Sequence, residues 1–557
     1  MKSKAVLIRG IQRNIAFQDD LLRKLAGKTL VQRAINKARE LGVGDIAVCV
    51  YTDSELVALS SDRAGVRTYL DPNLAKEDET AVSAFFKFIQ KWSRGFDWII
   101  HLSPYAPLLG IEALQETLTR VEAEDADIGN SGRLVADHKT SMDALDLMSQ
   151  CFQTPEEKIC VNADVFTVIR SSLLGVTAPR QLKVITVLLG ENEFEVRSHR
   201  DWWVCEKLLA RKRIIVRVIG TETVGMGHIY RTLSLAHEIT DHEIIFVTDT
   251  DNGVAVDELN KYEYELKVYQ PDRVIQEISF LKPDMVINDI LNTGWEDVGP
   301  LQQQGVQVVN FEDLGKGARI ADITFNELYD EPQYAEENTF WGHDYFFVRD
   351  EFNDAKPCEF KSEVTGILLA FGGVDQHDLT RKVLFSILEL CIARRIPIYI
   401  VTGPGYARFD RLVEETKGLE GVSITHDTGV ISKIMERVGL AITSNGRTVY
   451  EMAHMNIPAI VIPQHERERT HAFACQENGF IPLTPYTEGI TEEDVKTALR
   501  GLLDSVSDRE QLYNRTLRFR FDRNKRRIID LIEDRLDRRQ RVMNGTTEAE
   551  PTGPRAR

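Results

Sequence analysis

Alternation constrains this chain more than any other feature. Short β-branched runs, at residues 5–8, 46–51, 98–102 and 164–170, are separated by stretches of helical periodicity at 29–41, 81–92 and 201–210. The pattern restarts abruptly at Lys212-Arg213-Ile214-Ile215-Val216-Arg217-Val218-Ile219. It continues through runs at 243–247, 285–288 and 306–310, then 366–370, 397–401, 440–443 and 459–462. Strands that take turns with helices, and are apolar on both faces, belong to parallel sheets covered on both sides, so the fold class is α/β. At roughly 100–200 residues per domain, 557 residues make about three domains. We place them at 1–211, 212–357 and 358–540, with charged helices over 510–539 and a Gly/Thr/Pro-rich tail, read as disordered, over 541–557.

Bulk properties exclude several classes. A formal charge of −18 argues against a nucleic-acid binder, which needs a basic surface, but permits a small anion held by a few donors in one cleft. No apolar run reaches the roughly 18 residues of a membrane span, and the first ten residues are too polar for a signal peptide. Seven cysteines without a C-x-x-C pair read as reduced thiols of a cytoplasmic protein.

Two loops carry candidate chemistry. After the run 216–219 comes Gly225-x-Gly227-His228-x-x-Arg231, opening a helix. A strand, a glycine turn and a helix N-terminus form an anion site, and a histidine there can act as a base. The motif alone is equally compatible with a tight turn carrying a surface histidine. In the last domain, the strand at 440–443 leads into Ser444-Asn445-Gly446-Arg447-Thr448 and, one turn on, Glu451. Such a loop can grip phosphates, and Glu451 can accept from a ribose diol, although an N-capped helix would look the same. Phe371-Gly372-Gly373-Val374-Asp375 adds a glycine-lined edge. His465 and His471 lie in a charged stretch and read as solvated.

Taken together, these motifs resemble the GT-B group of nucleotide-sugar enzymes. The nearest resemblance is to the UDP-sugar hydrolase of pseudaminic acid biosynthesis. It rests on Arg217, Gly227-His228-x-x-Arg231, Asp289, Gly342-x-x-Tyr345-x-x-x-Arg349-x-Glu351-Phe352, Gly372-Gly373-x-Asp375 and Glu451. Thr448 to Pro458 with Gln464-His465 also resembles the lipid-II-forming N-acetylglucosaminyltransferase. The resemblance implies a two-lobed unit of Rossmann-like domains that needs no cofactor and releases UDP from a 2,4-diacetamido-2,4,6-trideoxyhexose. His228 would be the base. Arg217, Gly227, Arg231, Asp289, Tyr345, Gly372, Gly373, Asp375, Ser444, Asn445, Gly446, Thr448, Glu451 and Gln464 would hold the UDP-sugar. Ile219 stands where that family has an aspartate. A GT-B glycosyltransferase and an inactive nucleotide-sugar scaffold are the alternatives.

The first 211 residues resemble a cytidylyltransferase of the CMP-sialic acid synthetase type, a GT-A-like Rossmann domain. The resemblance rests on Arg9-Gly10, Leu25-Ala26-Gly27-Lys28, Thr52-Asp53-Ser54, Leu102-Ser103-Pro104-Tyr105-Ala106-Pro107 and Asp201-Trp202. It implies CTP and nonulosonic acid as ligands, with Arg9, Arg13, Asn14, Lys28, Asp53 and Ser103 in contact, and a homodimer through this domain. Mg²⁺ would be needed if the domain is active, but Glu195-Val196-Arg197 occupies the place of the family's Asp-x-Asp. That leaves Glu195 as the one metal ligand, and an arginine beside a cation is electrostatically unfavourable. Both resemblances point to nonulosonic acid biosynthesis for cell-surface polysaccharide.

Overall fold

A computed structural model describes residues 3–15, 17–76, 78–136, 158–175, 181–221 and 226–543. Gly225 and Glu222, and the tail from Asn544, lie outside them. The chain forms two compact units, Met1–Arg211 and Lys212–Arg557.

Among the described residues, the main sheet of the first unit holds seven strands: β1 Lys4–Arg9, β2 Val48–Thr52, β3 Arg67–Leu70, β4 Trp98–Leu102, β5 Ile128–Ala136, β6 Lys158–Arg170 and β7 Val184–Leu188. Their order is β3-β2-β1-β4-β6-β5-β7. The first four are parallel, and β6 runs antiparallel to both of its neighbours. Alternate residues of β1 serve opposite cores, as strand geometry requires. Val6 and Ile8 face the helices Leu30–Glu40 and Ile111–Ala123, whereas Ala5 and Leu7 face Glu79–Trp92. Thr29 and Gln32 start the helix at Leu30 with a reciprocal capping box.

The second unit has two sheets. The near lobe contains β8 Arg213–Val218, β9 Glu243–Asp249, β10 Glu265–Tyr269, β11 Met285–Asp289, β12 Gln307–Phe311, β13 Ile323–Asn326 and β14 Thr339–Trp341. They are all parallel, in the order β10-β9-β8-β11-β12-β13-β14. The far lobe contains β15 Ile367–Ala370, β16 Ile398–Thr402, β17 Val422–His426, β18 Leu440–Ser444, β19 Ala459–Ile462 and β20 Phe480–Pro482. These too are parallel, in the order β17-β16-β15-β18-β19-β20. Both sheets are doubly wound. The order reverses beside β8 and β11 in one lobe and beside β15 and β18 in the other, and ligands bind at such switch points.

The sequence reading needs one boundary correction. Residues 358–540 do not all belong to the far lobe. The last helix, α1 Asn524–Met543, places Ile528, Ile529, Ile532 and Leu536 in the near-lobe core beside Ile214, Val216 and Val309. Conversely, Tyr329, Phe346 and Phe352 pack with Tyr450, Phe473 and Phe521 in the far-lobe core.

Candidate functional site

A cleft of about 530 Å³ opens in the second unit. Its near-lobe wall includes Met226, Gly227, His228, Tyr230 and Glu312. Its far-lobe wall includes Gly372, Gly373, Asp375, Ser444, Gly446, Arg447, Thr448, Glu451 and Gln464. These residues sit at the carboxyl ends of parallel strands, where the two switch points put them. Glycine is required at 372, where φ is +80°. A side chain at Gly227 would press on Arg447 Cδ at 3.3 Å.

His228 lies in the first turn of the helix Gly227–Ala236 and is buried. Its Nδ1 is 2.5 Å from Asp289 Oδ1, at the end of β11. A carboxylate can only accept, so Nδ1 carries the hydrogen and Nε2 is left as the lone-pair nitrogen. Asp289 is held in turn by Arg231, which donates Nε to Oδ2 at 2.7 Å and Nη2 to Oδ1 at 2.5 Å. Arg231 is three residues after His228, so one helix turn delivers both groups to one carboxylate. Burial would raise the Asp289 carboxyl, but the charge of Arg231 and the hydrogen bonds from Arg231 and His228 hold it below the ordinary range.

Behind this relay lies a balanced buried network. Arg231 also donates to Glu327 and, at 3.2 Å, to Glu312. Arg447 donates to the same Glu327 oxygen at 2.6 Å, and Arg467 lies 3.3 Å from Glu312. Glu312 and Glu327 follow the near-lobe strands β12 and β13, whereas Arg447 and Arg467 belong to the far lobe. Three arginines therefore meet three carboxylates, with Arg447 and Arg467 reaching across from the far lobe. Burial works against the ionised Glu312, yet the charges of Arg231 and Arg467 depress its carboxyl. Burial, then repulsion from Arg231, lowers the Arg447 guanidinium. Arg349 joins Glu451 and Glu351 at 3.0 Å each.

Several expected ligand contacts need correcting. Arg217 does not line the cleft; it donates to Asp297 at 2.7 Å. Tyr345 packs against Phe325 and Phe340, with Arg527 over its ring, also away from the cleft. Asn445 is buried, and its amide donates to the carbonyls of Glu468 and His471. Arg231 and Asp289 lie behind His228 and are not part of the cleft lining. Asp375 lines the cleft, but its carboxylate accepts the Leu379 and Thr380 N–H groups, 2.8 Å each, and so caps the helix Leu379–Ala393. His471 is buried against the cleft, with Nδ1 donating to the Asn445 carbonyl at 2.8 Å. Glu312, Glu327, Arg467 and Glu468 were not singled out from the sequence as site residues, whereas Arg447 was named only as part of the phosphate-gripping loop. For the first two a signal existed: each directly follows a parallel strand.

In the first unit, Ser103 and Arg13 meet at Glu195. Ser103 Oγ donates to Glu195 Oε1 at 2.9 Å, Arg13 pairs with the same oxygen at 2.8 Å, and Arg197 Nε approaches Oε2 at 3.4 Å. A carboxylate so neutralised does not suit a divalent cation, and among the described residues no three His, Cys, Asp or Glu gather as a metal site. Arg9 ends β1, Lys28 is exposed, and Asn14 is exposed with its side chain accepting from the Asp19 N–H. Asp53 accepts weakly from the Gln12 N–H at 3.5 Å, while Ser54, not Asp53, caps the following helix.

No family model matches the chain. Uncharacterized protein MJ1062 of Methanocaldococcus jannaschii is 31% identical over 277 residues, 46% of this chain and 57% of that protein. The chain thus spans little more than half the length of that relative. The spore coat polysaccharide biosynthesis protein SpsG of Bacillus subtilis is 25% identical over 268 residues, 46% of this chain and 78% of SpsG. Among solved structures, MurG of Acinetobacter baumannii overlays 58% of this chain and 99% of its own, at 14% identity and a TM-score of 0.43. Among the described residues no helix is long and apolar enough to cross a membrane.

Proposed function

We propose that the second unit is a nucleotide-sugar enzyme that hydrolyses a UDP-sugar, of the 2,4-diacetamido-2,4,6-trideoxyhexose class, in making cell-surface polysaccharide in the cytoplasm. The observation that carries this reading is the Arg231–Asp289–His228 relay, which presents a lone-pair imidazole nitrogen to a cleft floored by glycine loops. The SpsG name supports the polysaccharide context. In the proposed step, water attacks the anomeric carbon and gives its proton to His228 Nε2. The bond from that carbon to the diphosphate oxygen breaks, and UDP departs with the electron pair. Asp289 keeps the imidazole oriented and stabilises its protonated form. Hydroxyls of Ser444 and Thr448 and the Arg447 guanidinium line the cleft where the leaving charge develops.

The test is UDP release from a panel of UDP-2,4-diacetamido sugars followed by phosphorus NMR. We expect His228→Ala to lose about 10²–10⁴-fold in rate, the usual worth of a general base. Silence from every sugar, or equal rates in the variant, would overturn the hydrolase reading.

For the first unit we propose a sugar-nucleotide-binding domain of cytidylyltransferase ancestry that does not turn over with Mg²⁺. The pairing of Glu195 with Arg13 and Arg197 supports this. Incubation with CTP, a nonulosonic acid and Mg²⁺ should yield no pyrophosphate; its appearance would restore the cytidylyltransferase.

A further inference from the structure

Among the described residues, a buried acidic group of the cleft, Glu468, has no arginine or lysine paired with it. It is 7% exposed, on the segment between β19 and β20. Its Oε2 accepts the Gln464 N–H at 2.7 Å. Its Oε1 lies 3.6 Å from where a side chain on Gly446 would begin, beside the loop that follows β18. That loop, with Ser444 and Thr448, is where the proposed function seats a diphosphate.

The charges around Glu468 do not neutralise it. On its own segment, Arg467 is paired with Glu312, and Glu466 pairs outward with Arg469. His465 Nε2 is 3.7 Å from Oε1 but half-exposed, and burial lowers its affinity for a proton. Burial likewise lowers the affinity of His471 for a proton. From the neighbouring loops, Arg447 is paired with Glu327, Asp375 caps its helix, and His377 Nε2 donates to the Gln464 carbonyl at 3.0 Å. From the near lobe, Glu312 adds negative charge and His228 is tied to Asp289.

An ionised carboxylate beside a diphosphate would repel it in a low-dielectric cleft. A protonated one would donate to it. Resting on the reading of the cleft as a UDP-sugar site, we propose that Glu468 is a specificity residue that takes up one proton when the ligand docks and donates it in a hydrogen bond to a phosphate oxygen. The protonated state is within reach at neutral pH. Burial pushes the carboxyl up to about 7, against the downward pull of the Gln464 and Asn445 N–H groups.

The probe is UDP-N-acetylglucosamine, whose diphosphate is esterified at both ends and does not itself titrate near neutrality; UDP serves as a second ligand. Calorimetry of the full-length protein in buffers of different ionisation heat should show uptake of close to one proton at pH 8. Affinity should fall about tenfold per pH unit above 7, the slope of a single linked proton. Glu468→Gln, an isosteric mimic of the protonated acid, should match wild type at pH 6 and hold that affinity at pH 8.5. A flat wild-type profile, or the same slope in the variant, would overturn the proposal while leaving the cleft reading intact. Failure of both ligands to bind at any pH from 6 to 8.5 would overturn the cleft reading, and this inference with it.

Discussion

His228 works as a base only through the residue behind it. Asp289 fixes which ring nitrogen carries the hydrogen, and Arg231 fixes Asp289. Asp289→Asn retains the shape but removes the charge that stabilises the imidazolium, and it leaves the fully buried Arg231 with less compensation. Breaking a buried ion pair from one side typically costs about 3–5 kcal/mol. We expect the variant to lose activity nearly as fully as His228→Ala and, unlike it, to unfold at markedly lower urea concentration. Equal midpoints for the two variants would show that the arginine does not depend on this carboxylate. Asp289 came from the sequence only through the family resemblance, as a ligand contact and not as the partner of His228. Glu468 was not legible there: its importance comes from the arginines near it being paired elsewhere, which only the packed structure shows.

At the scale of elements, α1 is the informative case. Its sequence, rich in Arg and Asp, reads as a solvated helix, and yet Ile528, Ile529 and Ile532 are fully buried in the near lobe. Periodicity located the helix but could not name the core it joins, because that depends on where the chain crosses between lobes. Ile529→Ala should destabilise the second unit by about 2–5 kcal/mol, measured by denaturant unfolding. A change within about 0.5 kcal/mol would mean the helix is only loosely docked. Two of the strands not read from the sequence are informative in the same way. Glu265–Tyr269 and Val422–His426 are edge strands with half-exposed, mixed-polarity sequences, so they lack the continuous apolar runs that marked the central strands.

At the scale of the molecule, the break before Lys212 was legible because a new apolar strand begins there without warning. Each unit has its own cores. A chain of residues 212–557 should therefore fold alone and bind UDP as the full-length protein does, as calorimetry would show. Loss of binding would mean the first unit completes the site. The lobes within the second unit are another matter. Glu312 and Glu327 come from one and Arg447 and Arg467 from the other, linked around the fully buried Arg231. This makes the two halves a poor substrate for recombination. A chimaera that kept one lobe and took the other from a relative would have to inherit both arginines with it, or bury two orphaned acids at the seam. New sugar specificities should therefore arise by changes in the loops that rim the cleft, with the ionic seam passed on intact.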